Sequence, residues 1–530
     1  MVHAASRPKL TLSAVINTQR VQRIIAIVLT SFLCLYALSS FSKPGRGIPE
    51  WTTYESGSID PSPQADKDRK FVLVLPTNAS DPNVCKTVFS ALALGYPSPV
   101  IINWGVNHQD ISHWRLGKAL PKIPGLLHYL DSVMHPNATH LEKLEEEDIV
   151  IMIDARDVWF QLPAEVLLSR YHEINKRANE RLLRQWTGSG PMPMKQTIVV
   201  GAQKKCYPND PELFGVDLRC DIWPESPLRP DLYGPETDRN LTNLHDVRPR
   251  WLNGGMYIGP AGDMRRFFRR ATEKMEAYIG EAFPLRSEQG MLGYLIGQQE
   301  VWRQWQRENR MKGSDLKGLI EENLEFHAGL DYAGELSSQV SWSDIDKEHD
   351  LYDGDFIALG DKDAIDRHSE IRGISPTRLS GVPEDIRLSQ NPLAGFDKAA
   401  NWSNMPLYTD FAIGTVPAMI HHNKLKTRRE TWWDRPWYHQ RLREIVTLRL
   451  GPRLSDEPLA TIQVENTRIR YWAPSAESMD RYPRRANETA TRRFLKMGFD
   501  ELCPWDGKPL RHAKSTWWEE VFRDGGGRFR

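Results

Sequence analysis

Asp148-Ile149-Val150-Ile151-Met152-Ile153-Asp154-Ala155-Arg156-Asp157-Val158-Trp159-Phe160 is the stretch whose reading decides the fold. Ile149 to Ile153 is an apolar, mostly β-branched run, long enough for one buried strand of an α/β sheet. Asp154 and Asp157 follow where that strand should run out, and open α/β sheets bind ligands just beyond the carboxyl ends of their strands. Two hard oxygen ligands there suit Mn²⁺ or Mg²⁺, and such an ion could hold a diphosphate. The same two residues also fit a plain strand stop followed by a capped turn, where Asp is common.

Outward from this stretch, strands and helices alternate. Phe71-Val72-Leu73-Val74-Leu75 reads as a buried strand ending at Thr77-Asn78, and Val100-Ile101-Ile102-Asn103-Trp104 as a second. Ile123 to Val133 fits an amphipathic helix with Leu126, Leu127, Leu130 and Val133 on one face. A charged helix is expected from about Ala164 to Trp186, then a strand at Thr197-Ile198-Val199-Val200-Gly201. This alternation predicts an α/β fold with a mostly parallel sheet covered on both faces by helices.

Further along, Trp251-Leu252-Asn253-Gly254-Gly255-Met256-Tyr257-Ile258-Gly259 places a glycine pair just before a short strand. Glycine there lets the backbone approach a ligand, although Asn-Gly is also the commonest turn dipeptide. Met264 to Ile279 reads as helical, and Ser287-Glu288-Gln289 as the N-cap and opening of the next helix. A carboxylate and an amide at a helix start could face a ligand or only cap it. His421-His422-Asn423 puts two imidazoles after a short apolar run; such a pair serves structure as readily as ligation.

Composition bounds the partners. Of 530 residues, 40% are hydrophobic and 26% charged, and 69 basic residues balance 69 acidic ones. That balance gives no support for a nucleic-acid partner, which needs a basic face. Residues 1–23 read as a cytosolic tail carrying Arg7, Lys9, Arg20 and Arg23, and Ile24 to Phe41 as an uncharged run just long enough to cross a bilayer. A signal peptide cleaved near Ala37-Leu38-Ser39-Ser40 is the competing reading. Residues 42–68 form a Pro-, Gly- and Ser-containing stem, 69–430 the main domain, and 431–530 a C-terminal extension packed on it. A lumenal main domain agrees with glycosylation sequons at Asn78, Asn137, Asn240, Asn401 and Asn487. Outside the apolar run, Cys85, Cys206, Cys220 and Cys503 can pair completely in an oxidising compartment, with Cys206–Cys220 favoured by proximity.

Taken together, these segments resemble the glycosyltransferase domain of the multifunctional procollagen lysyl hydroxylases, a GT-A-type fold, over roughly Phe71 to Arg429. Asp154-Ala155-Arg156-Asp157 is similar to that family's Asp-x-x-Asp, and Cys206-Tyr207-Pro208 to its Cys-aromatic-Pro, with Tyr for Trp. Leu252-Asn253-Gly254-Gly255-Met256-Tyr257-Ile258-Gly259 resembles its Leu-Asn-Ser-Gly-Gly-Phe-Ile-Gly, and His421-His422-Asn423 its His-Gly-Asn. Its Asp-rich stretch before a Gln is reduced here to Ser287-Glu288-Gln289.

The resemblance implies Mn²⁺ (or Mg²⁺) held by Asp154, Asp157 and His421 and bridging the diphosphate of a UDP-sugar. It places Thr77, Lys122, Ala155, Arg156 and Tyr207 along the donor, Asn253, Gly254 and Gly255 at its sugar, and Asn423 and Lys426 at its diphosphate. Glu288 and Gln289 would be the catalytic pair, facing the acceptor, a protein or glycan. His422, in place of a glycine, is expected to narrow the diphosphate end. The sugar-transfer motifs are not followed by a recognisable hydroxylase half; His108-Gln109-Asp110 has an iron-site spacing but precedes them in an irregular stretch. The expectation is a type II membrane glycosyltransferase of the Golgi or endoplasmic reticulum. The rival is a membrane-anchored protein that keeps the fold and binds glycans without transfer.

Overall fold

The computed structural model describes residues 66–529 apart from 108–116, 141, 189, 278–284, 309–322, 347–350, 424–426, 452–456, 475–481, 487–493 and 505–515. The expected tail, anchor and most of the stem lie outside the described residues, as do Lys426, Asn487 and His108-Gln109-Asp110. Among the described residues no helix is long and apolar enough to cross a membrane.

The run read as the decisive strand is β3, Ile149–Ile153, and all five residues are buried. It lies beside β1 (Lys67–Pro76), which neighbours β2 (Val100–Ile102), all three parallel. On its other side is β6 (Trp251–Pro260), antiparallel both to β3 and to β5 (Ile198–Gln203), while β5 runs parallel to β7 (Ala328–Asp331). Among these six strands all run parallel except β6, which is reversed beside the central β3.

Both faces of the sheet are covered, which is why its central strands are apolar throughout. Phe71, Leu73 and Leu75 of β1 and Ile149, Ile151 and Ile153 of β3 point to one side. There they meet α1 (Pro82–Ala93) and α3 (Ala164–Gln185). Val72, Val74, Val150 and Met152 point to the other, against α2 (Lys122–Val133), α4 (Ala261–Ala277) and α5 (Glu288–Glu308). Asp81 caps α1 by accepting from the Asn83 amide at 2.7 Å, and Ser287 caps α5 by accepting from Gly290 at 3.2 Å.

Beyond shifts of a few residues at element ends, two differences from the expectation stand out. The stem's last two residues belong to β1, because Lys67 to Lys70 pair in parallel with Ile469 to Trp472. The glycine pair is not a turn before a short strand. Gly254 and Gly255 sit inside β6, where the register with β5 jumps from Val200↔Tyr257 to Gly201↔Asn253 and leaves a bulge.

A second, three-stranded sheet crosses the carboxyl end of the first. In it β4 (Val158–Phe160) pairs antiparallel with β11 (Met419–His421), which pairs parallel with β8 (Ser337–Gln339). Elsewhere β9 (Gly354–Ala358) pairs antiparallel with β10 (Pro406–Asp410) as a separate two-stranded ribbon. Near the C-terminus, β12 (Ala460–Val464) and β13 (Thr467–Trp472) extend β1, and β14 (Arg484–Ala486) adds to β2. Two disulfides join Cys206 to Cys220 and Cys85 of α1 to Cys503.

Candidate metal centre

Asp154 is the first residue beyond β3, and its amide donates to the Gly255 carbonyl at 3.0 Å, so the bulge of β6 sits against it. Asp157 immediately precedes β4. The β4–β11 ladder places His421 opposite Val158, and the His422 amide donates to the Asp157 carbonyl at 2.7 Å. Backbone pairing therefore carries the imidazole to the carboxylates. Ligand atoms of Asp154, Asp157 and His421 all lie within 4.8 Å of one another. His421 Nε2 is 3.6 Å from Asp154 Oδ2. The His421 ring is 3% exposed and its Nδ1 is buried without a hydrogen-bond partner.

These residues fit a divalent ion. Two carboxylates and an imidazole form a mixed oxygen–nitrogen set that suits Mn²⁺ better than Mg²⁺. The cradle is tight: a Cβ on Gly255 would lie 2.1 Å from His421 Cε1 and 2.3 Å from its Nδ1. Only glycine leaves room for the ring at this point of the bulge.

Each carboxylate already has a cation. Lys122, at the start of α2, pairs with Asp154 Oδ1 and reaches Glu288 Oε1 at 3.1 Å. Arg429 pairs with Asp157 Oδ1 and donates to the Arg156 carbonyl at 2.9 Å. Burial opposes the charge on Asp154, but Lys122 and His421 outweigh it and hold the carboxyl well below the usual range. Burial also opposes the charge on Lys122, yet Asp154 and Glu288 raise its pKa above the ordinary lysine value. The oxygen of Asp154 that faces His421 is not the one Lys122 takes.

Two clefts meet at Asp154. One, about 230 Å³, opens between the ends of β1 and β2 and the start of α2, and Thr77, Asn103, Lys118, Lys122, Ala155 and Arg156 line it. The other, about 270 Å³, lies toward α5 and is lined by Tyr207, Asn253, Gly254, Gly255, Glu288 and Asn423 among others. The structure thus gathers every described site residue expected from the sequence around one carboxylate, on two sides.

Their engagements differ. The Thr77 hydroxyl donates to Ala79 O at 3.0 Å and accepts from Arg156 Nη2 at 3.3 Å. Gln289 accepts from the Gly254 amide at 2.8 Å and donates to Tyr207 O, so its amide holds the bulge to the lip of the second cleft. Asn253 completes that support, accepting from the Gly255 amide at 3.0 Å and donating to Gln203 at 3.1 Å. Tyr207 stands at the lip, 36% exposed. Asn78 is exposed on the rim of the first cleft, its side chain donating to Val106 O at 3.2 Å.

His422 corrects an expectation. It lines neither cleft and is fully buried on Trp159, ring centroids 4.0 Å apart, so it does not narrow either one. Strand alternation sends neighbours to opposite faces, so only one of the two imidazoles can face the carboxylates.

Of the cationic groups that escaped the sequence reading, two are held in place by partners. Arg429 lies in an ordinary basic run, and nothing local marks it as the partner of Asp157. Lys204 forms part of the second cleft's wall, its ammonium held by Asp353 at 2.9 Å and the carbonyls of His245 and Ser343 at 3.1 Å. Burial opposes its charge, but Asp353 keeps it well above the ordinary lysine pKa. No family model matches this chain, and no curated protein matches it.

Proposed function

We propose that this chain is a metal-dependent glycosyltransferase that uses a nucleoside-diphosphate sugar, a UDP-sugar by the resemblance described above. The observation that carries the reading is the position of Asp154, Asp157 and His421 where two clefts meet. A donor in the first cleft would present its diphosphate at the junction and its sugar toward the second. A divalent ion held there supplies Lewis-acid stabilisation of the charge that develops on the departing nucleoside diphosphate.

The chain's own residues divide the remaining work. Thr77, Ala155 and Arg156 border the nucleotide, and Lys122 adds positive charge beside its phosphates. The Asn253–Gly255 bulge gives the sugar a wall without side chains over two residues. Glu288 faces the second cleft, where an acceptor hydroxyl would enter, and Tyr207 offers a ring on which a sugar can stack.

One observation favours a second reading, a glycan-binding protein without transfer. The Glu288 carboxylate is engaged by Lys122, which also pairs with Asp154, and among the described residues no other acidic side chain lines the second cleft beside these two. In either case we place the chain in a secretory membrane, anchored by residues 24–41 with the clefts lumenal. Incubating the lumenal part with a panel of UDP-sugars, Mn²⁺ and protein or glycan acceptors, and measuring UDP release, separates the readings. Metal-dependent release supports transfer; glycan binding with no UDP release under any donor and acceptor supports the second.

A further inference from the structure

The C-terminal extension reaches the metal centre through α1. The last helix, α8 (Trp517–Phe522; α6 is Leu442–Leu450 and α7 Phe499–Leu502), carries Glu520 into a buried ion pair with Lys86 of α1, which is 1% exposed. The Lys86 ammonium also donates to the Arg429 carbonyl at 3.1 Å. Arg523 donates to Glu520 and to the Glu430 carbonyl, both at 2.9 Å, and the Trp433 indole donates to Val521 O at 2.6 Å. The peptide of residues 429–433 is thus tied directly to Val521 of α8 and to Arg523 at its C-cap, and through Lys86 to Glu520, and its Arg429 side chain reaches forward to Asp157.

A second tie runs beside the first. The carbonyl of Leu502, at the end of α7, accepts from the Asp81 amide at 3.2 Å, and Asp81 pairs with Arg156 at 3.4 Å. Arg156 and Asp157 are consecutive in the loop that presents the carboxylates. Cys85–Cys503 fastens α1 and α7 together between these ties.

Burying Lys86 and Glu520 is costly, and a hydrophobic pair would pack α8 at least as stably. What the ionic pair adds is a directed ammonium aimed at one carbonyl. We propose that α8 is a positioning element of the metal centre: Glu520 and Arg523, acting through Lys86 and the 429–430 peptide, set the Arg429 guanidinium that orients Asp157. This rests on the reading of Asp154, Asp157 and His421 as ligands. Groups that orient metal ligands from behind typically change metal affinity tenfold or more when replaced.

The test is Mn²⁺ affinity of the full chain in detergent by calorimetry, with the unfolding temperature recorded for each protein. Glu520→Gln and Arg523→Met are compared alone and combined with Arg429→Met, which removes a cation and leaves all three ligands in place. Each single change should weaken Mn²⁺ binding by about fivefold or more with Arg429 present, and by less than about twofold without it. Equal effects in both backgrounds would overturn the relay through Arg429. Wild-type affinity in a variant with a lowered unfolding temperature would overturn it too, leaving α8 a purely structural part. Should Glu520→Gln fail to fold, Arg523→Met carries the comparison, since that side chain is 18% exposed and at the edge of the buried pair. A wild type that takes up no Mn²⁺ would instead remove the metal centre itself, and this proposal with it.

Discussion

His421 Nε2 lies 3.6 Å from Asp154 Oδ2, at the end of a strand that pairs with the residues just after Asp157. The β4–β11 pairing starts one residue after Asp157 and ends at His421, so the register of two short strands brings the imidazole to the carboxylates. The Gly255 carbonyl then holds Asp154 from the other side.

Because a Cβ at Gly255 would overlap the His421 ring, Gly255→Ala should displace the imidazole. Overpacking of this kind costs roughly 1–3 kcal/mol, and Mn²⁺ affinity should fall by at least about tenfold. Gly254→Ala meets nothing closer than 3.2 Å and should change affinity by less than about threefold. Calorimetric titration of the two variants with Mn²⁺ checks the ranking; equal effects would mean that the bulge does not set the ring position.

The disulfides make separate contributions. In the chain-entropy model, closing the Cys206–Cys220 loop stabilises by roughly 3 kcal/mol and the much longer Cys85–Cys503 loop by roughly 6 kcal/mol. Peptide mapping without reduction should recover both linkages. Urea unfolding of Cys85→Ser/Cys503→Ser should show the larger loss, whereas Cys206→Ser/Cys220→Ser should loosen the Tyr207 lip and weaken acceptor or sugar binding.

How much of this was legible follows from how local each signal is. The β3 run, its two following carboxylates and the flanking helices were readable because burial on both faces leaves an unbroken apolar run. Cys206–Cys220 was readable because it closes a short loop. The glycine pair misled, since Asn-Gly carries the same local signature in a turn and in a bulge, and only pairing with β5 tells them apart. Arg429–Asp157 and Lys86–Glu520 join residues hundreds of positions apart, and no local pattern encodes either.

Acid should destabilise the fold through His439. Burial, together with Arg523 and Lys86, pushes its pKa down to about 4, whereas an unfolded imidazole titrates near 6.5. Between those values the unfolded chain binds a proton that the native chain does not, so stability falls as pH drops through the window. The full loss is on the order of 3 kcal/mol. Asp331, pushed up to about 6 by burial and Glu335, acts in the opposite sense, because stability it provides is lost as pH rises. The informative quantity is therefore a difference: between pH 7 and 4.5, wild type should lose on the order of 2 kcal/mol more than His439→Gln in urea unfolding. Parallel profiles would contradict this.

Topology can be checked without the site. The mature protein should keep residues 1–41, resist carbonate extraction from membranes, and shift in mobility when N-glycans are removed. Asn137, Asn240 and Asn401 are exposed and should carry them. Asn78 is exposed too, and a glycan there would stand over the first cleft, so low occupancy is expected at that position. A secreted protein beginning near Ser40 would overturn the anchor and leave the metal centre untouched.

The most direct measurement is Mn²⁺-dependent UDP binding by calorimetry for wild type, Asp154→Ala, Asp157→Ala, His421→Ala and His422→Ala, with folding confirmed for each. Either Asp change removes a charged ligand and should abolish binding. His421→Ala removes one neutral ligand and should weaken binding less, by about tenfold or more, and His422→Ala, facing Trp159, should do least. Undiminished Mn²⁺-dependent UDP binding in folded Asp157→Ala would contradict the metal centre on which the proposed activity rests.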